Sequence, residues 1–548
     1  MKKIFLFYTI IIAITVISCA TKAPVVYEEL DYSDEKIIET QIREIISLQK
    51  DNPVKALFRS AIIYKNAPDF AGAKELFVNC GTVLTENLQK SIEEKKWYDV
   101  YLILQSLKAV EFPLDAGLNA LVLEDVHNQY IASLNMQLKD VKNTQSEKIA
   151  QFMNGAVTIL VDLGIKVENG RGYADKVIGS GFFIDSQGYI VTNYHVISNL
   201  VDPSYEGFSR LYIKLYNNTE TKIPAKVVGW DKALDLALLK TEITPNYVFS
   251  LGSSDNLDIG DKIYAIGSPL GLESTLTSGI LSAIDRKLLH VATVMQIDAA
   301  INSGNSGGPI VDEKGNVQAV VFAGILEHQG LNFAIPVEYL KMNLPTLYKG
   351  GEVRHSWLGG YGKTKKDVGT EKNIGVELLY IKINSSLYLA GFESGDVITA
   401  LNNRSVSSVE ELQTVLLLEN PHQIVKVAVL KKDGSRQEIP LYLEPRPEAP
   451  GRLFLQQDTI ANAFYPLFGV ELMGAGENRK KFVVKSVVPG SIGDELGFSE
   501  MDPIELLKAK YMPEQEVIYV EVYTKKRKGG YLDVTLALFA ALDSPYFF

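Results

Sequence analysis

A serine flanked by glycines stands in Gly304-Asn305-Ser306-Gly307-Gly308-Pro309. A serine that attacks a carbonyl needs open backbone around it. Glycines let the carbonyl approach, and they leave adjacent N–H groups free to point at a developing oxyanion. By itself the run also fits a glycine-rich turn, or the Gly-x-Ser-x-Gly elbow of α/β-hydrolases. The elbow requires a helix after the serine and a histidine last in the chain. Here Pro309-Ile310-Val311 follows, which reads as a strand. The hydroxyl also needs a base. Six histidines are available: His127, His195, His290, His328, His355 and His422. His195 stands apart, because Gly179–Asp185 and Gly188–Ile197 read as a strand hairpin that delivers it to a loop end, where function concentrates. The other five lie in charged or helical contexts and read as surface or packing residues. The base in turn needs a carboxylate to hold its tautomer. Asp235 opens the apolar run Asp235-Leu236-Ala237-Leu238-Leu239-Lys240. A carboxylate buried there without a partner is costly, so Asp235 is expected to have one. A strand-end cap, or Asp231 in its place, are the alternatives.

The elements around these residues are strands. Val157–Val161, Gly179–Ile184, Tyr189–Thr192, Leu211–Leu215, Lys222–Val228 and Leu236–Lys240 are short runs rich in β-branched residues, broken by Gly, Asn and Asp. That pattern predicts a sandwich or barrel. Upstream, Ile38, Ile42, Ile45 and Ile46 recur at helical spacing. Pro53–Tyr64, Ala71–Val78, Thr82–Glu94, Trp97–Val110 and Asp115–Leu138 read the same way, with Pro53, Pro68, Gly81 and Pro113 as punctuation. Residues 36–140 are thus a helical domain, either a repeat-like stack or a small bundle. Downstream, a hairpin of Ile424–Leu430 and Glu438–Leu443 turns at Lys432-Asp433-Gly434, and Glu444–Pro450 reads as a stiff linker. A similar hairpin, Val517–Tyr523 and Tyr531–Leu538, closes the last region, which suggests a divergent duplication.

The order His195, Asp235, Ser306 is that of chymotrypsin, not of subtilisin or the α/β-hydrolases. With no disulfide framework, the sequence resembles the HtrA/Deg family of trypsin-fold serine proteases. The resemblance is dense from about Gly179 to Pro336. It includes Ile266-Gly267-Ser268-Pro269-Leu270-Gly271-Leu272, Thr275–Ile280, Ile297–Asn302 and Gly330–Pro336, and it departs at Ser303, where a proline is usual. It implies a chymotrypsin-like double β-barrel over residues 150–348, with the triad in the cleft between barrels. It implies an oxyanion hole on the Gly304, Asn305, Ser306 loop, with the N–H groups of Gly304 and Ser306 as donors. The specificity pocket would have Ala300 at its base, with no acid to hold Lys or Arg, so cleavage after small or medium aliphatic residues is expected. Asn305 stands where zymogen-type relatives carry an aspartate, so activation by N-terminal cleavage is not expected. Residues 351–447 resemble the PDZ module that follows such proteases: Ser356-Trp357-Leu358-Gly359-Gly360, Ala390-Gly391-Phe392 and Ser394-Gly395-Asp396-Val397-Ile398. The resemblance implies peptide binding by strand addition, with Leu358, Gly359 and Gly360 offering N–H groups to a terminal carboxylate. Residues 452–541 echo this module imperfectly. Leu467-Phe468-Gly469-Val470 is a second candidate loop, and Met501 replaces a glycine. The fold class is therefore multidomain: an α-helical domain, a double-barrel protease, and two α+β PDZ-like domains, the second degenerate.

The N-terminus begins Met1-Lys2-Lys3, followed by an apolar run from Ile4 to Ile17 and then Ser18-Cys19-Ala20. This charged-then-apolar pattern is that of an export signal. A small residue before a cysteine at its end resembles a bacterial lipoprotein signal, with 1–19 the signal, Cys19 the lipidated anchor and 20–35 a tether. An ordinary signal peptide or an uncleaved anchor is the alternative. Each route places the chain in the cell envelope, facing the periplasm or exterior. The 548 residues allow three or four domains at ~150 residues each. Acidic residues outnumber basic ones 66 to 55, a net charge of −11, which argues against a nucleic-acid partner. Two cysteines exclude a four-thiolate metal site, and Gly476–Lys480 lacks the phosphate-loop pattern, so no metal or cofactor is implied. The expected partners are unfolded polypeptides, protein C-termini, the membrane through Cys19, and further copies of the chain, trimers being common among HtrA relatives. The expected function is ATP-independent proteolysis of unfolded or mislocalised proteins. The alternative is a peptide-binding scaffold or holdase whose protease domain is a relic.

Overall fold

Asp34 caps the first helix by accepting the Lys36 N–H, and Asn52 ends that helix and caps the next through the Lys55 N–H. Local capping thus sets two helix boundaries without tertiary help. The computed structural model describes residues 30, 32–140, 149–168, 170–267, 275–302, 304–324, 331–367, 369–475, 480–526 and 532–548. Cys19 and the signal, His328, Ser303, Ser268–Leu272, Gly330 and most of Gly476–Lys480 lie outside the described residues.

The N-terminal helices are Glu35–Asp51, Pro53–Asn66, Ala73–Glu93, Trp97–Ala109, Ala116–Asn119 and Leu123–Ser133. Two sequence expectations change. Gly81 does not break a helix; Ala73–Glu93 runs through it, because a Cβ at Gly81 would overlap the ring of Phe112, which packs there. The helix expected to reach Leu138 ends at Ser133. Leu138 and Lys139 bridge to Asp185 and Ser250 of the central region instead. These helices share one hydrophobic core with the first PDZ module. Polar contacts pin the seam: Ile424 N–H donates to Ser106 Oγ (3.0 Å), Asn52 Nδ2 to Tyr442 Oη (2.8 Å), and Lys55 pairs with Glu444 (2.8 Å).

The central region, residues 156–352, holds two sheets. The first has eight strands, ordered Gly351–Glu352, Lys226–Asp231, Leu236–Lys240, Tyr189–Thr192, Arg171–Phe183, Ala156–Glu168, Arg210–Leu215 and Asn218–Pro224. The expected strand Lys222–Val228 is in fact two strands meeting at Ala225. The second sheet closes on itself where Pro309–Val311 pairs with both Lys262–Gly267 and Asn316–Gly324. A helix, Val337–Lys349, packs apolar residues against the core beneath both sheets.

The first PDZ module is a sheet of Gly360–Lys366, Asn373–Ile381, Val397–Leu401, Ile424–Leu430 and Arg436–Tyr442, with helix Val409–Leu418 alongside. The second is a meander of Val470–Gly474, Lys481–Val487, Pro503–Met512, Val517–Lys526 and Leu532–Ala541. The modules repeat local devices. Gly359 (φ 89°) and Gly469 (φ 72°) each leave no room for a Cβ against Ser385 and Ser491, which cap short helices. Asp396 and Asp502 accept from the N–H groups of Glu393 and Ser499, both at 2.9 Å. Met501 adopts φ 68° where Gly395 has φ 97°. The difference is a wall: between its third and fourth strands the second module has only the turn Pro513–Gln515, where the first has Val409–Leu418. The expected linker Glu444–Pro450 is also built into the fold. Glu444–Pro445 pairs with Ser356–Trp357, Arg446 clasps Asp543, and Pro450 opens helix Pro450–Gln457.

Candidate active site

His195 sits on the first turn of helix Tyr194–Val201, directly after strand Tyr189–Thr192. This is a helix start rather than the loop end the sequence suggests. Thr192 pairs with Ala237, so strand Leu236–Lys240 lies alongside and brings Asp235 to His195. Asp235 adopts φ 53°, an uncommon conformation for a non-glycine residue. It is held there: its carbonyl accepts from Asn193 Nδ2 (2.9 Å) and from the Tyr194 N–H (3.2 Å). Its carboxylate then grips His195 twice, accepting the backbone N–H at Oδ1 (2.8 Å) and meeting ring Nδ1 at Oδ2 (2.7 Å). Asp235 is buried while the His195 side chain is 48% exposed. An acceptor-only carboxylate calls for a proton on Nδ1, which leaves Nε2 as the basic atom on the open side.

Asp231, the other acid the sequence offers, is spent elsewhere. Its Oδ2 meets His355 Nε2 (2.8 Å) and accepts from Asn343 Nδ2 (3.1 Å), all three side chains being buried. His355 is thus a paired interior histidine between protease and PDZ module.

The serine loop is strapped from the other sheet by Ser180. Its N–H donates to Ser306 O (2.8 Å) and its Oγ to Gly304 O (2.6 Å), while Thr192 Oγ1 donates to Ser180 O (2.7 Å). Glycine is required beside Ser306. Gly307 has φ 83°, and a Cβ there would overlap Thr192 Oγ1 and Ser180 O; one at Gly308 would overlap Ile266 O. The Asn305 N–H donates to Asn302 O (3.0 Å), so it is not a free donor of this loop. Among the described residues, the N–H groups of Gly304 and Ser306 have no acceptor, and no hydrogen bond joins Ser306 Oγ to the His195 ring. A loose nucleophile–base contact is common before substrate binds. Ala300 is exposed, and its carbonyl accepts from Thr277 Oγ1 (3.0 Å). Sequence reasoning does not single out Ser180 or Asn193. The small serine between Gly179 and Gly181 in a strand is the one available signal.

In the first PDZ module, Leu358 is buried in the core, and the N–H groups of Gly359 and Gly360 converge on one oxygen, that of Phe548 (3.0 and 2.8 Å). Both donors belong to the loop of Leu358, Gly359 and Gly360.

Parts of the chain match known protein families. Residues 179–320 match a trypsin-like peptidase domain, residues 451–542 a TP0546 family PDZ domain, and residues 36–120 a domain of unknown function (DUF8517). A probable periplasmic serine endoprotease DegP-like of Chlamydia pneumoniae is 32% identical over 339 residues, 59% of this chain and 67% of that protein. Its namesake from Marinomonas sp. (strain MWYL1) is 31% identical over 61% of this chain and 71% of its own length. A solved structure, the HtrA-type protease AlgW with decapeptide, is 25% identical, with a TM-score of 0.46 over 55% of this chain and 98% of that one. Identity above 30% across two thirds or more of such relatives, with peptidase and PDZ domains both matched, shows that the chain belongs to the HtrA/Deg family of trypsin-fold serine endoproteases with C-terminal PDZ modules.

Proposed function

We propose that the chain is an envelope-located, ATP-independent endopeptidase for unfolded or mislocalised proteins, with Ser306 as nucleophile, His195 as base and Asp235 as orienting carboxylate. The observation that carries this reading is the double grip of Asp235 on the His195 ring and backbone (2.7 and 2.8 Å), beside a serine loop braced by Ser180. In this mechanism His195 Nε2 takes the Ser306 Oγ proton as Oγ attacks the scissile carbonyl. The carbonyl oxygen gains charge and is met by the N–H groups of Gly304 and Ser306. Loss of one such donor typically costs roughly 10²–10³ in turnover. His195 then protonates the leaving amine, and water releases the acyl group by the reverse sequence. Ala300 leaves the pocket base uncharged, which suits small or medium aliphatic side chains. The first PDZ module reads peptide ends, and Cys19 carries the lipid. The relatives, described as probable periplasmic serine endoproteases, support the envelope location.

The test is cleavage of unfolded casein by wild type and Ser306→Ala. The variant is expected to keep the fold and lose hydrolysis, and His195→Ala combined with it is expected to be no worse than either alone. Near-wild-type cleavage by Ser306→Ala would eliminate the triad, whereas absence of cleavage by the wild type would leave the peptide-binding scaffold.

A further inference from the structure

Strand Leu532–Ala541 ends the second PDZ module, but the chain does not stop there. Leu542 is pinned by its N–H to Glu516 O (2.9 Å) and by the Gly451 N–H to its carbonyl (2.8 Å). Asp543 is clasped by both terminal nitrogens of Arg446 (2.8 and 2.6 Å), a bidentate pair with little exposure. From this anchor, residues 544–548 cross to the first module and enter the groove between strand Gly360–Lys366 and helix Val409–Leu418.

The fit is that of an added strand. The Gly362 N–H donates to Tyr546 O (3.1 Å), the Phe548 N–H to Gly360 O (3.0 Å), and Tyr361 bridges antiparallel to Phe547. From the helix side, Gln413 Nε2 donates to the carbonyls of Pro545 (3.0 Å) and Phe547 (2.8 Å). The Gly359 and Gly360 N–H groups close on Phe548 O. Side chains alternate as a strand requires. Phe548 is fully buried in the core of the first module, its ring over Gly360 and Gly362, where Cβ atoms would stand 3.1 and 2.9 Å from it. Phe547 faces the other way and packs on Tyr361 and Phe454 (ring centroids 5.5 and 5.4 Å). The carboxylate loop, the groove helix and the pocket are therefore all engaged by this chain itself.

We propose that the peptide groove of the first PDZ module is a self-ligand site, occupied by Tyr546–Phe548, and that outside ligands with a large aromatic side chain at the Phe548 position must displace this segment to bind. This rests on reading the module as a peptide groove. A tethered ligand acts at an effective concentration of order millimolar, so an outside peptide competes at a disadvantage set by the tether. The bare Gly360 and Gly362 make room for an aromatic ring and select the ligand class.

The experiment measures binding of a labelled hexapeptide, Asp-Ser-Pro-Tyr-Phe-Phe, by fluorescence anisotropy, with Ser306→Ala as background so that the probe survives. Three proteins are compared: the intact sequence, one lacking only residues 546–548, and Asp543→Lys, which frees the anchor without touching the groove. The shortened chain is expected to bind about tenfold or more tightly than the intact one, with Asp543→Lys between them, and the peptide is expected to raise the shortened chain's melting temperature toward that of the intact protein. If the shortened chain does not fold, Asp543→Lys alone decides, by the same comparison. Equal affinity in all folded proteins overturns self-occupancy. Absence of binding to every one of them overturns both the proposal and the peptide-groove reading, while triad-dependent casein cleavage, measured without the Ser306→Ala change, stands or falls separately.

Discussion

At the scale of single residues, two aspartates four positions apart are given different partners. Asp235 faces the His195 ring, and Asp231 faces His355. The two are separable by substitution. Asp235→Asn can no longer hold a proton on Nδ1, so hydrolysis of casein is expected to fall by about 10⁴ while the urea midpoint moves little. Asp231→Asn is expected to do the opposite. It weakens a buried three-residue network and costs about 1–3 kcal/mol in urea unfolding, with hydrolysis per folded molecule close to wild type. If Asp231→Asn abolishes hydrolysis and Asp235→Asn does not, the orienting carboxylate has been misassigned.

At the scale of elements, two positions show local preference overruled by packing. Met501 is held at φ 68°, where its counterpart is Gly395. A side chain in that region costs about 1–2 kcal/mol, against about 0.5–1 kcal/mol for the extra freedom glycine brings to the unfolded chain. Met501→Gly is therefore expected to raise the thermal midpoint of the second PDZ module modestly, read by calorimetry; a clear drop would mean that Met501 makes contacts that outweigh its strain. Glu419 ends the groove helix, accepts from Gln423 Nε2 (2.6 Å), and has its carboxyl pushed above the ordinary value by burial. An acid with a raised value favours the folded state in its protonated form. That contribution is complete below the ordinary value of 4.5 and is lost as pH rises through the raised one. Glu419→Gln should match wild type in stability at pH 4 and exceed it at pH 8. A difference that grows toward acid would contradict the sign.

At the scale of the whole molecule, the helical domain and the first PDZ module unfold as one unit if their common core means what it shows. Ser106 Oγ is the acceptor for the Ile424 N–H at that seam (3.0 Å). Ser106→Ala removes only the hydroxyl and strands a buried donor, at a cost of about 1–3 kcal/mol. Hydrogen exchange is expected to quicken together in helix Trp97–Ala109 and hairpin strands Ile424–Leu430 and Arg436–Tyr442, while strands Tyr189–Thr192 and Leu236–Lys240 keep their protection. Faster exchange in the helix alone would show two independent units. The docking also bears on the proposed function, since the helices brace the sheet whose edge strand lines the groove entered by Phe548.

The sequence by itself determined the candidates for chemistry and most of the elements, because these are written locally. Glycines around Ser306 mark the strained loop, and the lone carboxylate opening Leu236–Lys240 marks a residue that needs a partner. Helical spacing and caps such as Asp34 and Asn52 mark helices that form where expected. Gly81 misled, because a helical glycine and a breaking glycine look alike until Phe112 is seen filling the gap. Tertiary structure alone decided which aspartate meets His195, since that depends on strand pairing between Thr192 and Ala237. It also decided that Ser180 braces the nucleophile loop from 124 residues away. The same holds for Phe548 entering a groove built from Gly359 onward. Such contacts carry no periodicity and no local motif; they arise only when the folded sheets bring distant backbone donors and acceptors within hydrogen-bond reach.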